Sequence, residues 1–223
     1  MIKLSKRLLV IASYISNHAK MVDIGCDHAL LDIYLVNRYP KLKAIAVDVR
    51  PGAIDQARRN LEKFKMTGAI DLRLGDGLEV VEKDEIDTIV MSGLGCSKIV
   101  EILTKDKSKL SNANDLIIQS NTDYYDLRKT ISSFGYFIVD EQLVKENKII
   151  YLIIHFRKGN KKYSKRDYLY GPVLRREKSN LYREMINNDI RQKEILYSLI
   201  PQKYLFKRLR LKACILSLKR EIR

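Results

Sequence analysis

From Met21 onward, short apolar runs alternate with helical patterns. The runs are MVDIG, KAIAVD, IDLRL, IDTIVM and DLIIQS, and helices are expected from about His28, Gly52, Ser97 and Tyr124, after all but the third. Runs rich in Ile and Val, bounded by Gly and Asp and spaced by one helix, predict parallel strands buried on both faces of a sheet. The last two runs break the rhythm. YFIVDEQLVKE and KIIYLIIHF are joined by a short polar turn around Asn147 that leaves no room for a crossover helix, so they predict an antiparallel hairpin at the sheet edge. Ahead of the first strand, MIKLSKRLLVIASYISNHAK reads as an amphipathic helix. Ser13, Ser16, Asn17 and His18 interrupt its apolar run, and no small-residue cleavage site follows.

Beyond Phe156 the pattern changes to RKGNKKYSKRDYLYGP, a polar, basic connector, which places a domain boundary between residues 158 and 159. From Val173 to Ile200 the apolar positions Leu174, Leu181, Met185, Leu196 and Leu199 recur at spacings near seven and four. After Pro201 the set is Leu211, Ile215, Leu218 and Ile222. Proline disfavours helix at the preceding Ile200, so two helices turning at Pro201 and packing as an antiparallel coiled-coil hairpin are expected, rather than one kinked rod.

Charge sharpens this division. The net charge of the 223-residue chain is +15, yet residues 1–156 hold 22 Lys+Arg against 21 Asp+Glu, whereas residues 157–223 hold 20 against 6. A near-neutral first part followed by a strongly basic second part suits a catalytic domain carrying an appendage for a polyanion, with nucleic acid favoured over an anionic membrane. Cys26, Cys96 and Cys214 lie far apart, with no CxxC pair and no histidine cluster beside them, so no metal, no disulfide framework and a cytoplasmic location are expected. No apolar run approaches the roughly 18 residues of a membrane span.

The candidate chemistry sits where strands end. Asp23-Ile24-Gly25-Cys26-Asp27-His28 leaves the first strand and opens a helix, at the sheet edge where ligands of such folds bind. A pyrophosphate ligand calls for GxGxxG there, but this loop has one glycine, followed by Asp27, which suits a cation. S-adenosylmethionine, with a sulfonium and an ammonium but no phosphate, fits such a loop; capping of the next helix is the plainer role for Asp27. Asp48, followed by Val49, ends the second strand and is placed to accept hydrogen bonds from ribose hydroxyls. Asp76 and Gly77 follow the third strand, either as a plain turn or to recognise an adenine amino group. Ser92 and Gly93 at the fourth strand end leave room for a flat base. Gln119 and Asn121 at the fifth offer amides to its edge, although both loops also read as turn chemistry.

At these residues the chain resembles the bacterial tRNA (adenine-22-N1)-methyltransferase family, TrmK. DIGCDHALLDIYL, AVDVRPGAIDQA, LGDGL, MSGLG, IIQSN, LRKTISSFGYFIVDEQLV and YGPVL carry the likeness over nearly the whole chain. It departs where Cys96 follows Gly93-Leu94-Gly95 and where Ser120 stands in place of the usual proline. The resemblance implies a Rossmann-like class I methyltransferase sheet, S-adenosylmethionine as cofactor, tRNA as substrate and adenine N1 as acceptor. Asp27 is then the candidate for handling charge or a proton on the methylated base. Arg175, Arg176, Lys207 and Arg208 of the hairpin are candidates for gripping phosphates, in a chain expected to act as a monomer. A non-catalytic RNA-binding protein on a decayed methyltransferase fold is the alternative.

Overall fold

The computed structural model describes residues 2–222. Seven strands form one sheet in the order β3-β2-β1-β4-β5-β7-β6. They are β1 (Lys20–Ile24), β2 (Lys43–Asp48), β3 (Asp71–Leu74), β4 (Thr88–Leu94), β5 (Asp115–Ser120), β6 (Tyr136–Glu146) and β7 (Ile149–Lys158). Pairings among the first five are parallel, and β7 pairs antiparallel with both β5 and β6, so the edge hairpin is present. Its turn residues Asn147 and Lys148 both adopt the left-handed conformation that a tight two-residue hairpin demands.

The period-two alternation of each strand feeds two cores. Val22, Ile24, Ile45, Val47, Ile89 and Met91 point to one face, beneath α4 (Cys96–Lys105) and α5 (Tyr124–Ser133). Met21, Ala44, Ala46, Val90 and Ile117 point to the other, beneath α1 (Lys6–Ser13), α2 (Leu30–Arg38) and α3 (Pro51–Lys63). The parallel strands β1, β2, β4 and β5 are therefore covered on both sides, which is why they read as apolar runs, whereas β3 at the sheet edge has no buried residue.

The C-terminal region departs from its expected form. The helix expected over 173–200 is two: α7 (Pro172–Glu177), which follows α6 (Lys165–Tyr170), and α8 (Asn180–Leu199). Lys178 turns left-handed with φ 47°, and the Ser179 hydroxyl accepts the Tyr182 N–H to start α8 afresh. The stripe that α8 buries is Tyr182, Ile186 and Ile190, one residue out of phase with Leu181 and Met185, while Leu196 and Leu199 stand in solvent. Helix α9 (Leu205–Glu221) returns alongside, with Ile215 and Leu218 buried. Tyr182, Ile186, Ile190, Ile215 and Leu218 join the same core as α4 and α5. The basic connector is also tied down, because the Tyr163 hydroxyl accepts the Ile138 N–H of β6 at 2.7 Å and Ser164 and Asp167 form a reciprocal cap on α6.

Candidate active site

The carboxyl ends of β1, β2 and β4 and the loop after β3 surround a cleft of about 470 Å³, a size normal for a small-molecule site. Asp23, Gly25, Cys26, Asp27, His28, Asp48, Val49, Asp76, Gly77, Ser92 and Gly93 all line it. The first loop is shaped by unusual backbone. Gly25 (φ 77°), Asp27 and Ala29 (both φ 51°) are left-handed, and the Gly25 and Cys26 N–H groups donate back to the Val47 carbonyl. Left-handed alanine is strained by about 1 kcal/mol or more. The Asn60 side chain holds the turn by donating to the His28 carbonyl at 2.9 Å. Asp27 does not cap α2, whose N-cap position makes no side-chain hydrogen bond among the described residues; its carboxylate instead meets Arg50 at 3.1 Å and His28 at 3.2 Å.

Asp48 is almost fully buried and accepts the Arg50 N–H at 2.9 Å, the Arg50 Nε at 3.1 Å and the Asp27 N–H at 3.2 Å. Burial pushes this carboxyl up, but the hydrogen bonds from Arg50 and from the Asp27 backbone outweigh burial and hold it below the ordinary carboxylate range. Asp76 faces the Lys98 ammonium at 3.2 Å. Next to it, Gly77 has φ 64°, and a Cβ there would lie 2.7 Å from Ile102, so this position excludes side chains both conformationally and sterically.

Asp23 poses a different problem. It sits at the cleft floor near Asp32 of α2, which is completely buried and whose two carboxylate oxygens have no hydrogen-bond partner among the described residues. Burial pushes Asp23 up to about 7, the Asp48 charge adds to this, and the neighbouring Asp32 carboxyl pulls the other way. Burial and the neighbouring Asp23 raise Asp32 as well. Both shifts run in the direction that favours a proton shared by the pair.

The amide of Gln119 is not presented to the cleft. It is fully buried, its oxygen accepting from Arg7, Ser92 and the Gly93 N–H and its nitrogen donating to Ser120 and Asn121. Asn121 donates in turn to the Gly93 carbonyl. Together they brace the bulged end of β4, where Gly93 has φ 83°. The departures at Cys96 and Ser120 are accommodated in the same bracing: Cys96 is buried with its N–H on the Thr122 hydroxyl, and the Ser120 hydroxyl closes a turn onto the Thr122 carbonyl. Sequence reasoning missed Arg7, Arg50 and Lys98, which also line the cleft.

Of the hairpin cations, Arg176 is exposed, whereas Arg175 is held by Glu221 and Asp167. Arg208 donates to the Tyr197 and Ile200 carbonyls at the end of α8 and stacks on the Tyr197 ring, while Lys207 lies exposed over Tyr204. Arg175 and Arg208 are thus committed to the fold. Among the described residues no group of His, Cys, Asp and Glu is placed to hold a metal ion, and no helix is long and apolar enough to cross a membrane.

Residues 21–220 match the family model of tRNA (adenine(22)-N(1))-methyltransferase, TrmK. The chain belongs to this family. The enzyme of that name from Bacillus subtilis is 33% identical over 207 residues, which span 90% of this chain and 87% of that protein. The crystal structure of the B. subtilis m1A22 tRNA methyltransferase TrmK superposes with a TM-score of 0.90 at 31% identity, covering 100% of both chains. The Mycoplasma capricolum TrmK, solved with the cofactor product S-adenosylhomocysteine, superposes with a TM-score of 0.87 at 32% identity over 98% of this chain and 97% of that one. The strand-end loops that carry the TrmK resemblance, from DIGCDHA to IIQSN, fall inside the matched span, as does the helical hairpin to residue 220.

Proposed function

We infer that this chain transfers the methyl group of S-adenosylmethionine to N1 of adenine 22 in tRNA. The observation that carries the reading is the donor set of the cleft, in which Asp23, Asp27, Asp48 and Asp76 stand around a single-glycine turn. Such a set repels a pyrophosphate and suits a ligand with an ammonium, a sulfonium, a ribose diol and an adenine amino group. Asp48 would accept from the ribose hydroxyls and Asp76 would accept from the adenine amine. Asp23 and the Gly25 turn would hold the methionine end. When bound, S-adenosylmethionine supplies an electrophilic methyl for in-line transfer. The intact acidic set leaves the non-catalytic alternative without support.

Adenine N1 attacks through an in-plane lone pair that carries no proton, so no base has to act first and positioning does most of the work. The product ring is cationic until its exocyclic amine loses a proton. Asp27, at the cleft rim, is placed to stabilise that charge, and its existing pairing with Arg50 and His28 fixes its orientation. Asp27→Ala should lower kcat about tenfold or more with the fold intact; unchanged turnover would remove Asp27 from the mechanism. N1 lies on the Watson-Crick edge, so the target base has to be exposed or flipped. The basic C-terminal region supplies phosphate contacts from cations such as Arg176, Lys207 and Arg210.

Incubation with labelled S-adenosylmethionine and unmodified tRNA transcripts, followed by nucleoside mapping, tests the whole reading. N1-methyladenosine at position 22, lost when that adenine is replaced, is the expected result; cofactor binding without transfer to any tRNA sinks it.

The Asp23 titration adds a pH dependence. The α-ammonium group at the ligand's methionine end, which S-adenosylhomocysteine shares with S-adenosylmethionine, is favoured by ionised Asp23, whose carboxyl burial raises to about 7. Affinity for S-adenosylhomocysteine should therefore rise several-fold between pH 6 and pH 8. In Asp23→Asn the rise should vanish, as followed by calorimetric titration; a parallel rise in both proteins would assign it to another group.

A further inference from the structure

The far end of the helical hairpin exposes an unusual amount of apolar surface for a segment so rich in cations. Phe206 is 88% exposed and Leu199 72%, with Ile195, Leu205 and Leu209 also open to solvent. All lie in the last turns of α8 and the first turns of α9, which Arg208 ties together through the Tyr197 and Ile200 carbonyls. These residues therefore share one end of the hairpin. Soluble proteins seldom leave such groups together in water unless they meet a partner. Helix α8 continues nine residues past Ile190, its last buried position, or about 14 Å of helix, so this end extends beyond the buried core.

The surroundings select the partner. Lys203 and Lys207 set their ammonium groups over the Tyr204 ring at 5.4 and 5.3 Å, and the exposed Arg210 and Lys212 follow along α9. Aromatic faces beside cations match an unpaired, unstacked nucleotide, whose base stacks on the ring while its phosphate meets the ammonium. A second copy of this chain would bring the same cations against themselves. Resting on the tRNA reading above, we propose that the α8–α9 tip is a second RNA contact, in which Phe206 stacks on an unpaired loop base of the tRNA and Lys203 and Lys207 hold the adjoining phosphates. None of the tip residues lines the cleft, so this contact is separate from the one that receives the target base and recognises tRNA shape rather than that base.

The test uses full-length protein and fluorescently labelled, unmodified tRNA titrated at several salt concentrations. Phe206→Ala should weaken tRNA binding about tenfold while leaving the salt dependence and the affinity for S-adenosylhomocysteine unchanged. Phe206→Trp should restore binding, since any aromatic face serves. Lys203→Gln with Lys207→Gln should instead flatten the slope of log affinity against log salt by between one and two, about 0.7–0.9 for each phosphate that no longer meets an ammonium. Wild-type affinity in Phe206→Ala overturns the proposal. So does light scattering that finds a wild-type dimer which Phe206→Ala dissociates without loss of tRNA binding, because the tip would then be a self-association surface. Wild-type protein that binds no tRNA at all overturns the functional reading together with this one, whereas a defect confined to the tip variants separates the two.

Discussion

Glu141→Ala should cost about 3–5 kcal/mol of folding stability, the usual loss when one partner of a buried ion pair is removed. Arg128 and Glu141 are both nearly inaccessible, with Nε 2.7 Å from the carboxylate. The second carboxylate oxygen accepts the Val173 N–H at 3.0 Å, and Arg128 also donates to the Tyr168 carbonyl at 3.0 Å. Glu141 on β6 and Arg128 on α5 thus join the sheet to α6 and α7 across one point of contact. The approach is close enough that a Cβ on Gly171, which has φ 85°, would fall within 3 Å of both side chains. Truncating Glu141 leaves a guanidinium without its counter-charge and a backbone N–H without an acceptor. The thermal midpoint should fall by roughly 10 °C or more for a chain of this size. Glu141→Gln, which retains an acceptor for Val173, should fall less. A midpoint shift of only a degree or two in Glu141→Ala would mean that solvent reaches Arg128 and that the C-terminal helices are held by apolar packing alone.

That junction was invisible in the sequence. Composition places a boundary after Lys158, because the following residues are basic and polar, yet Tyr170, Val173, Leu174 and Tyr182 are buried in the same core as β4 and β5. Apolar positions with short, irregular spacings around Gly171 and Pro172 gave no periodic signal, and an Arg and a Glu thirteen residues apart look like two surface charges. The same gap explains the mistaken seam of α8. Leucines at 181, 196 and 199 suggest a stripe, but Tyr182 opens the buried face once Lys178 and Ser179 restart the helix. Lys-Ser-Asn at 178–180 was the available cue for that break.

The sheet and its loops were far more legible, since burial on both faces forces Ile and Val into uninterrupted runs, and the turns at the ends of β1, β3, β4 and β5 set glycine or aspartate at left-handed positions. What spacing could not show is which charges meet across the cleft. Arg7 arrives from α1 and Lys98 from α4, far from the acids in sequence. Arg50 was closer to hand, two residues after Asp48. Asp32 left the plainest trace: a carboxylate amid Leu30, Leu31, Ile33 and Leu35 breaks the apolar pattern of α2, the kind of local conflict that marks a functional or strained position.

These cations bear on the second large effect expected, that of Asp48→Ala on the cofactor. In the protein alone the Asp48 carboxylate is satisfied by Arg50 and the Asp27 N–H. A ribose diol would replace the Arg50 side chain while the backbone donors stay. Each hydrogen bond to a charged acceptor contributes about 1.5–3 kcal/mol, so losing two should weaken S-adenosylhomocysteine binding by roughly a hundredfold or more. The thermal midpoint should move less than in Glu141→Ala, because both packed cores stay untouched and the Arg50 guanidinium that loses its partner is exposed to water, unlike Arg128. Arg50→Ala should behave differently, although it breaks the same ion pair. Arg50 competes with the diol for Asp48 oxygens, so its loss removes a competitor as well as a neighbour, and affinity should change several-fold at most. Calorimetric titration of the two variants distinguishes the roles: comparable losses in both would make Arg50 a ligand contact in its own right, and a loss under tenfold in Asp48→Ala would displace Asp48 from ribose recognition.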